Sequence, residues 1–156
     1  MLRAMAEDDL ESLLHADHER VDDLFAEIRA SDAAAQRAVL DRIILELKQH
    51  AGEEERVVYA EVRRSLGDEL ADHEIDEHQG LRETLVALNE ATPGTAAFDA
   101  LLRSLMTDVA DHVSEEEREI LPLLRNTVGD ARWAELARQY TSERAGDRNH
   151  ASPGRR

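Results

Sequence analysis

The sequence predicts an all-α protein: an up-down-up-down antiparallel four-helix bundle followed by a short fifth C-terminal helix. Three observations lead there. Ala, Leu, Val and Ile supply almost all of the apolar residues, aromatics make up 3% and there are three prolines, a composition that favours long helices over strands. Helix breaks fall at "ASDAA" near Ser31, "SLGDE" around Gly67, "ATPGT" around Pro93 and "TVGDA" around Gly129. Between the breaks, apolar residues recur in alternating steps of four and three, the spacing of a seam that faces a bundle axis.

The first segment carries Leu14, His18, Val21, Phe25 and Ile28 on its seam, and the second carries Ile43, Leu47, His50, Glu54 and Val57. The third carries Ala71, Glu74, His78, Leu81, Leu85 and Leu88; the fourth carries Phe98, Leu102, Leu105, Val109, His112 and Glu116. The fifth, "ARWAELARQYTSE", sets Trp133, Leu136, Ala137 and Tyr140 at helical spacing, so it packs on the outside of the others or caps an end. After Arg144 the stretch "AGDRNHASPGRR" shows no apolar period. The expected organisation is a bundle over 7–128, an accessory helix over 130–143 and a disordered tail over 144–156.

A chain of 156 residues fits one domain that buries roughly 70% of its unfolded surface. Its formal net charge of −16 repels phosphate backbones and anionic lipid surfaces, which argues against nucleic acid and membrane partners. No apolar run approaches the ~20 residues of a membrane span and no signal-peptide pattern opens the chain, so the expected location is cytoplasmic. With no cysteine, any chemistry uses nitrogen and oxygen rather than sulfur.

Polar residues interrupt all four seams, and antiparallel pairing brings them to one level. The midpoint of His18 and His50 falls in the first break, and that of His78 and His112 in the break at Pro93. The pairs His50/Glu54 and Glu74/His78 are centred on the break beside Ser65 and Gly67. The halves also repeat. "HAGEEERVVYAEVR" from His50 resembles "HVSEEEREILPLLR" from His112, and "DHERVDDLF" from Asp17 resembles "EHQGLRETL" from Glu77, as expected of a duplicated helical hairpin.

A carboxylate in an apolar core needs a proton or a cation. On a helix, residues four apart emerge about 5–6 Å from each other on one face, so the histidine and glutamate of one pair reach the same metal or two adjacent ones. The candidate ligands are His18, His50, Glu54, Glu74, His78, His112 and Glu116, more than the four of a structural zinc site. Nitrogen and carboxylate donors without sulfur suit iron, manganese or zinc, with redox-active iron the first choice.

The ordered series His18, His50-x-x-x-Glu54, His78, His112-x-x-x-Glu116 resembles the hemerythrin-like, or HHE cation-binding, family over about residues 10 to 126. The resemblance implies a four-helix bundle holding two iron ions, non-haem and oxo- or hydroxo-bridged, with activities ranging from oxygen carriage to peroxide and nitric-oxide chemistry and sensing. It gives Glu54 and Glu116 the places of bridging carboxylates, and the four histidines those of terminal ligands. The third segment departs from the oxygen carriers of that family: Glu74-x-x-x-His78 stands where they have a His-x-x-x-His pair. At the end of the series they have an Asp five residues after the last histidine, whereas here Glu116 lies at four and Glu117 at five. The added negative charge favours ferric iron and turnover of hydrogen peroxide or nitric oxide over simple oxygen carriage. The alternative is a carrier or sensor of oxygen or iron without turnover.

Most of the remaining glutamates belong to a solvated face: Glu53, Glu55, Glu115 and Glu117 are expected on the surface or behind the ligands. His73, five residues before His78, lies about 140° off the seam and His15 flanks it, so neither is expected to ligate. Tyr59 reads as packing, with a phenolate near the metal as the alternative, and Pro122 as a residue that kinks or ends the fourth helix. The Glu-x-x-His signature of ferritin-like bundles is absent. A metal-free acidic interaction bundle leaves four core histidines at one level unexplained.

Overall fold

The computed structural model describes residues 9–151. These residues are helical throughout apart from short connections, and no strand occurs among them. α1 (Leu10–Ala30) turns at Ser31 and Asp32 into α2 (Ala33–Glu53), which passes through a π-helical stretch (Glu54–Tyr59) into α3 (Ala60–Leu66). α4 (Asp68–Glu90) leads to α5 (Ala96–Glu115), which passes through a second π-helical stretch (Glu116–Ile120) into α6 (Leu121–Val128). α7 (Asp130–Ala151) closes the chain.

The predicted breaks have local chemical causes. Asp32 caps α2 by accepting from the Ala35 N–H at 2.9 Å, and Thr95 caps α5 by accepting from the Phe98 N–H at 3.2 Å. Gly67 and Gly129 adopt φ of 112° and 80°, a left-handed backbone that lets the chain reverse between α3 and α4 and between α6 and α7. Consecutive helices pack on each other across these short connections, α1 on α2, α3 on α4 and α4 on α5.

Two apolar clusters form the core. One holds Leu10, Leu14, Val58, Tyr59, Leu121, Leu124 and the buried face of α7. The other holds Val21, Phe25, Ile43, Leu47, Leu85, Leu105 and Val109. No described helix is long and apolar enough to cross a membrane.

α7 corrects the expected organisation at the C-terminus. The accessory helix does not stop near residue 143 but runs to Ala151. Its first half docks through Trp133, Leu136, Ala137 and Tyr140, all buried. Its second half is held by charge instead: Arg144 meets Asp17 at 2.6 Å, and Arg56 meets Glu143 at 2.7 Å and Asp147 at 2.8 Å. Such ties leave no apolar period in the sequence. Residues 7 and 8 of the expected bundle and 152–156 of the expected tail lie outside the described residues.

Pro122 does not end the fourth arm, since α6 continues to Val128. The first half has the same π-helical widening with Ala60 at the matching position, so the widening does not require proline.

Candidate metal centre

Between the two apolar clusters lies a polar layer. His18, His50, Glu54, Glu74, His78, His112 and Glu116 are all buried, none more than 8% exposed. The sequence arithmetic placed these seven at one level, and the structure brings them together.

The two bridging candidates straddle two histidine pairs. Glu54 Oε1 lies against His50 Nε2 and 3.5 Å from His18 Nε2, while its Oε2 lies 3.4 Å from His78 Nε2 and 3.9 Å from His112 Nε2. Glu116 divides likewise, with Oε1 3.2 Å from His18 Nε2 and Oε2 3.8 Å from His112 Nε2. Four of these atoms, His18 Nε2, His50 Nε2, Glu54 Oε1 and Glu116 Oε1, are buried without a hydrogen bond. They converge within 4.8 Å of one another rather than aligning in pairs, as do atoms of Glu54, His78 and His112. Donors about 2.1 Å from one ion stand roughly 3–4 Å apart, so the convergence fits these clusters to hold a metal cation.

Every histidine of the layer is held from behind through Nδ1. His78 donates to Glu55 at 3.0 Å and His18 to Glu117 at 2.9 Å, while His112 donates to Glu77 at 2.5 Å. His50 Nδ1 meets Tyr140 Oη at 2.9 Å, with Asp17 Oδ2 3.4 Å away, and Tyr140 donates to that same oxygen at 2.5 Å. A carboxylate on the rear nitrogen fixes the ring so that Nε2 points forward, the arrangement that imidazole ligands of metals use.

The pattern follows the duplication. The third glutamate of each "EEE" run holds the first histidine of the other half, and the acid preceding each first histidine, Asp17 or Glu77, faces the second histidine of its own half. Both signals stand in the repeated phrases of the sequence, but Asp17, Glu77 and Tyr140 were not singled out there. Glu53 is buried beneath α7 rather than solvated, and burial pushes its pKa up to about 7.

His73 is 51% exposed and pairs with Glu77 and Glu115, outside the layer. His15 is exposed and shares Glu117 with His18. Glu74 is fully buried, and neither of its oxygens has a hydrogen-bond partner. Its Oε2 lies 3.6 Å from His112 Nδ1, at the edge of the layer, and burial pushes its pKa up to about 7.

Charge in the layer is mutually compensating. Burial opposes a proton on His18, yet Glu116 and Glu54 overcome it and push the pKa up to about 11. The same contest ends at about 10 for His112 and about 9 for His50. Burial would raise the Glu54 carboxyl, but the facing histidines, His50 foremost, hold it well below the usual range.

On one side the layer borders a cavity of about 30 Å³ lined by all four histidines and by Val21, Leu47, Leu85 and Val109. A volume of that size admits a molecule of a few atoms, since one water needs about 10–15 Å³ on the same measure.

The chain matches the profile of the hemerythrin HHE cation binding domain over residues 9–124. It is 26% identical over 137 residues to a DNA nickase of Nostoc sp., a match covering 87% of this chain but only 39% of that protein. The chain therefore spans well under half the length of that relative. It is 25% identical over 141 residues to an uncharacterized hemerythrin-like protein of Schizosaccharomyces pombe, covering 88% of this chain and 70% of that one. A solved structure, that of a hemerythrin HHE cation binding domain-containing protein from Mycobacterium kansasii, is similar with a TM-score of 0.81 at 20% identity, over 92% of this chain and 89% of that one. That likeness is one of fold.

Proposed function

Because the chain belongs to the hemerythrin HHE cation-binding family, we propose that its polar layer holds two non-haem iron ions and reacts with hydrogen peroxide, nitric oxide or oxygen. The observation that carries this is the division of Glu54 and Glu116, each with one oxygen toward the His18/His50 pair and the other toward the second half. Bound there, two adjacent irons supply electron exchange with a small ligand. The chain's own residues do the rest. Glu54 and Glu116 compensate the cationic charge, Glu55, Glu77, Glu117 and Tyr140 fix the imidazole rings, and the apolar cavity admits a few-atom ligand while excluding larger ones.

Glu74, its pKa pushed up to about 7 by burial, stands beside His112; ionised next to bound metal it would add negative charge and favour the ferric state, which supports turnover over reversible oxygen carriage. A carrier or sensor without turnover is the second reading, and the cavity, which admits oxygen as readily as peroxide, serves it equally. The activity named for the Nostoc relative is not carried over, because a net charge of −16 repels nucleic acid.

The test is iron content and optical spectrum of the purified protein, followed by addition of hydrogen peroxide and nitric oxide. Two irons per chain and consumption of either reagent are expected. A folded protein that cannot take up iron ends the reading, and reversible oxygenation without turnover selects carriage or sensing.

A further inference from the structure

Tyr59 stands inside the polar layer, although a residue five positions after Glu54 on an α-helix would point about 140° away from it. The π-helical stretch Glu54–Tyr59 removes that offset, because its i→i+5 hydrogen bonding returns residues five apart to one face. The phenol oxygen consequently lies 2.6 Å from Glu54 Oε2, 2.6 Å from Glu116 Oε2, 3.0 Å from His112 Nε2 and 3.4 Å from His78 Nε2.

Resting on the dinuclear reading above, the geometry points to Tyr59 as a ligand of the metal on the His78/His112 side, which makes the two halves of the centre chemically unequal. His78 Nε2 and His112 Nε2 are 3.0 Å apart. This separation and the phenol's 3.0 and 3.4 Å distances to the two imidazoles have the lengths of edges between donors about 2.1 Å from one ion, while its two 2.6 Å distances to the carboxylates are those of hydrogen bonds in the metal-free chain. Five donors from three of the four bundle arms thus surround one position: Glu54 Oε2, Tyr59 Oη, His78 Nε2, His112 Nε2 and Glu116 Oε2.

Hydrogen bonding alone does not account for the arrangement. The phenol has a single proton to offer, against two carboxylate oxygens and two imidazole nitrogens. Nor does the fold demand an oxygen there. The second half repeats the π-helical stretch, and the position matching Tyr59 is Leu121, also fully buried. An apolar side chain serves the same backbone, so the hydroxyl is surplus to packing. The side of His18 and His50 has no counterpart, since its nearby phenol, Tyr140, sits behind His50 at Nδ1. On binding Fe³⁺, the O–H bond of Tyr59 breaks, an O–Fe bond forms and the proton passes to solvent; the oxidation state of the iron does not change.

The test is the colour of the ferric protein. A phenolate bound to Fe³⁺ gives a charge-transfer band in the visible, and resonance Raman excitation into it enhances phenolate ring vibrations. The iron-loaded wild type is expected to show both, Tyr59→Phe to keep two irons but lose both, and Tyr140→Phe to retain them. A wild type that carries two irons without phenolate vibrations overturns the assignment and leaves the dinuclear reading standing. So does a Tyr59→Phe protein that keeps the band. A wild type that binds no iron overturns both. The wild-type spectrum decides even if Tyr59→Phe does not fold.

Discussion

Glu55 accepts a hydrogen bond from His78 at 3.0 Å across the boundary between the two halves of the chain, and Glu117 returns the relation by accepting from His18 at 2.9 Å. Each hairpin therefore orients the first histidine of the other. These glutamates follow the bridging candidates directly, and by helical angle alone they are expected to behave as surface residues.

Glu55→Ala and Glu117→Ala are consequently expected to weaken metal binding about 10–100-fold while leaving the fold intact. Competition titration with a chelator measures the first effect and thermal unfolding the second. Unchanged affinity in both variants would return these residues to the solvated face.

Glu54→Ala and Glu116→Ala remove a buried carboxylate that faces both histidine pairs. Each is expected to reduce iron to one ion per chain or none. In the metal-free protein each leaves buried, protonated imidazole without its partner, a loss of roughly 3–5 kcal/mol. Urea unfolding and metal analysis check the two effects, and variants that retain both irons would refute the bridging role.

The metal-free and metal-loaded proteins should respond to pH in different ways. His18, His50 and His112 have folded-state pKa values of about 11, 9 and 10 against 6.5 when unfolded, so the folded state binds more protons. Their stabilisation is complete below about pH 6.5 and is lost as pH rises through about 9 to 11. With metal on Nε2 there is no proton to lose, and that decline disappears. Thermal unfolding of the chelated and loaded proteins over this window is the measurement; parallel curves would show that the histidines do not govern it.

Truncation before Arg144 is expected to cost roughly 1–3 kcal/mol, because it strips Asp17 of a charged partner in a buried setting. Arg144→Ala should reproduce most of that loss, and both should lower metal affinity through the contact between Asp17 and His50. A disposable tail would show neither effect in thermal melts or iron analysis.

The contrast between expectation and structure has a physical pattern. His18, Glu54, His112 and Glu116 were readable because burial imposes a helical period, and the short breaks fixed which positions share a level. Tyr59 was read as packing because a π-helical stretch changes the angle per residue without changing composition. The second half of α7 was missed because Arg144 and Asp147 hold it through charge. Glu55 and Glu117 were left behind the ligands or in solvent because an angle measured on one helix says nothing of a histidine arriving from another.

The polar layer lies between the two apolar clusters of the interior. In the metal-free chain the middle of the second and fourth arms, where the helix widens, is expected to open most readily, the reverse of an ordinary helix that frays from its ends. Amide hydrogens around Glu54 and Glu116, in the π-helical stretches, are then expected to exchange through local openings that leave both clusters folded. Metal bound by the layer is expected to invert this profile, so that the centre becomes the slowest-exchanging part of the molecule and the two half-cores one cooperative unit.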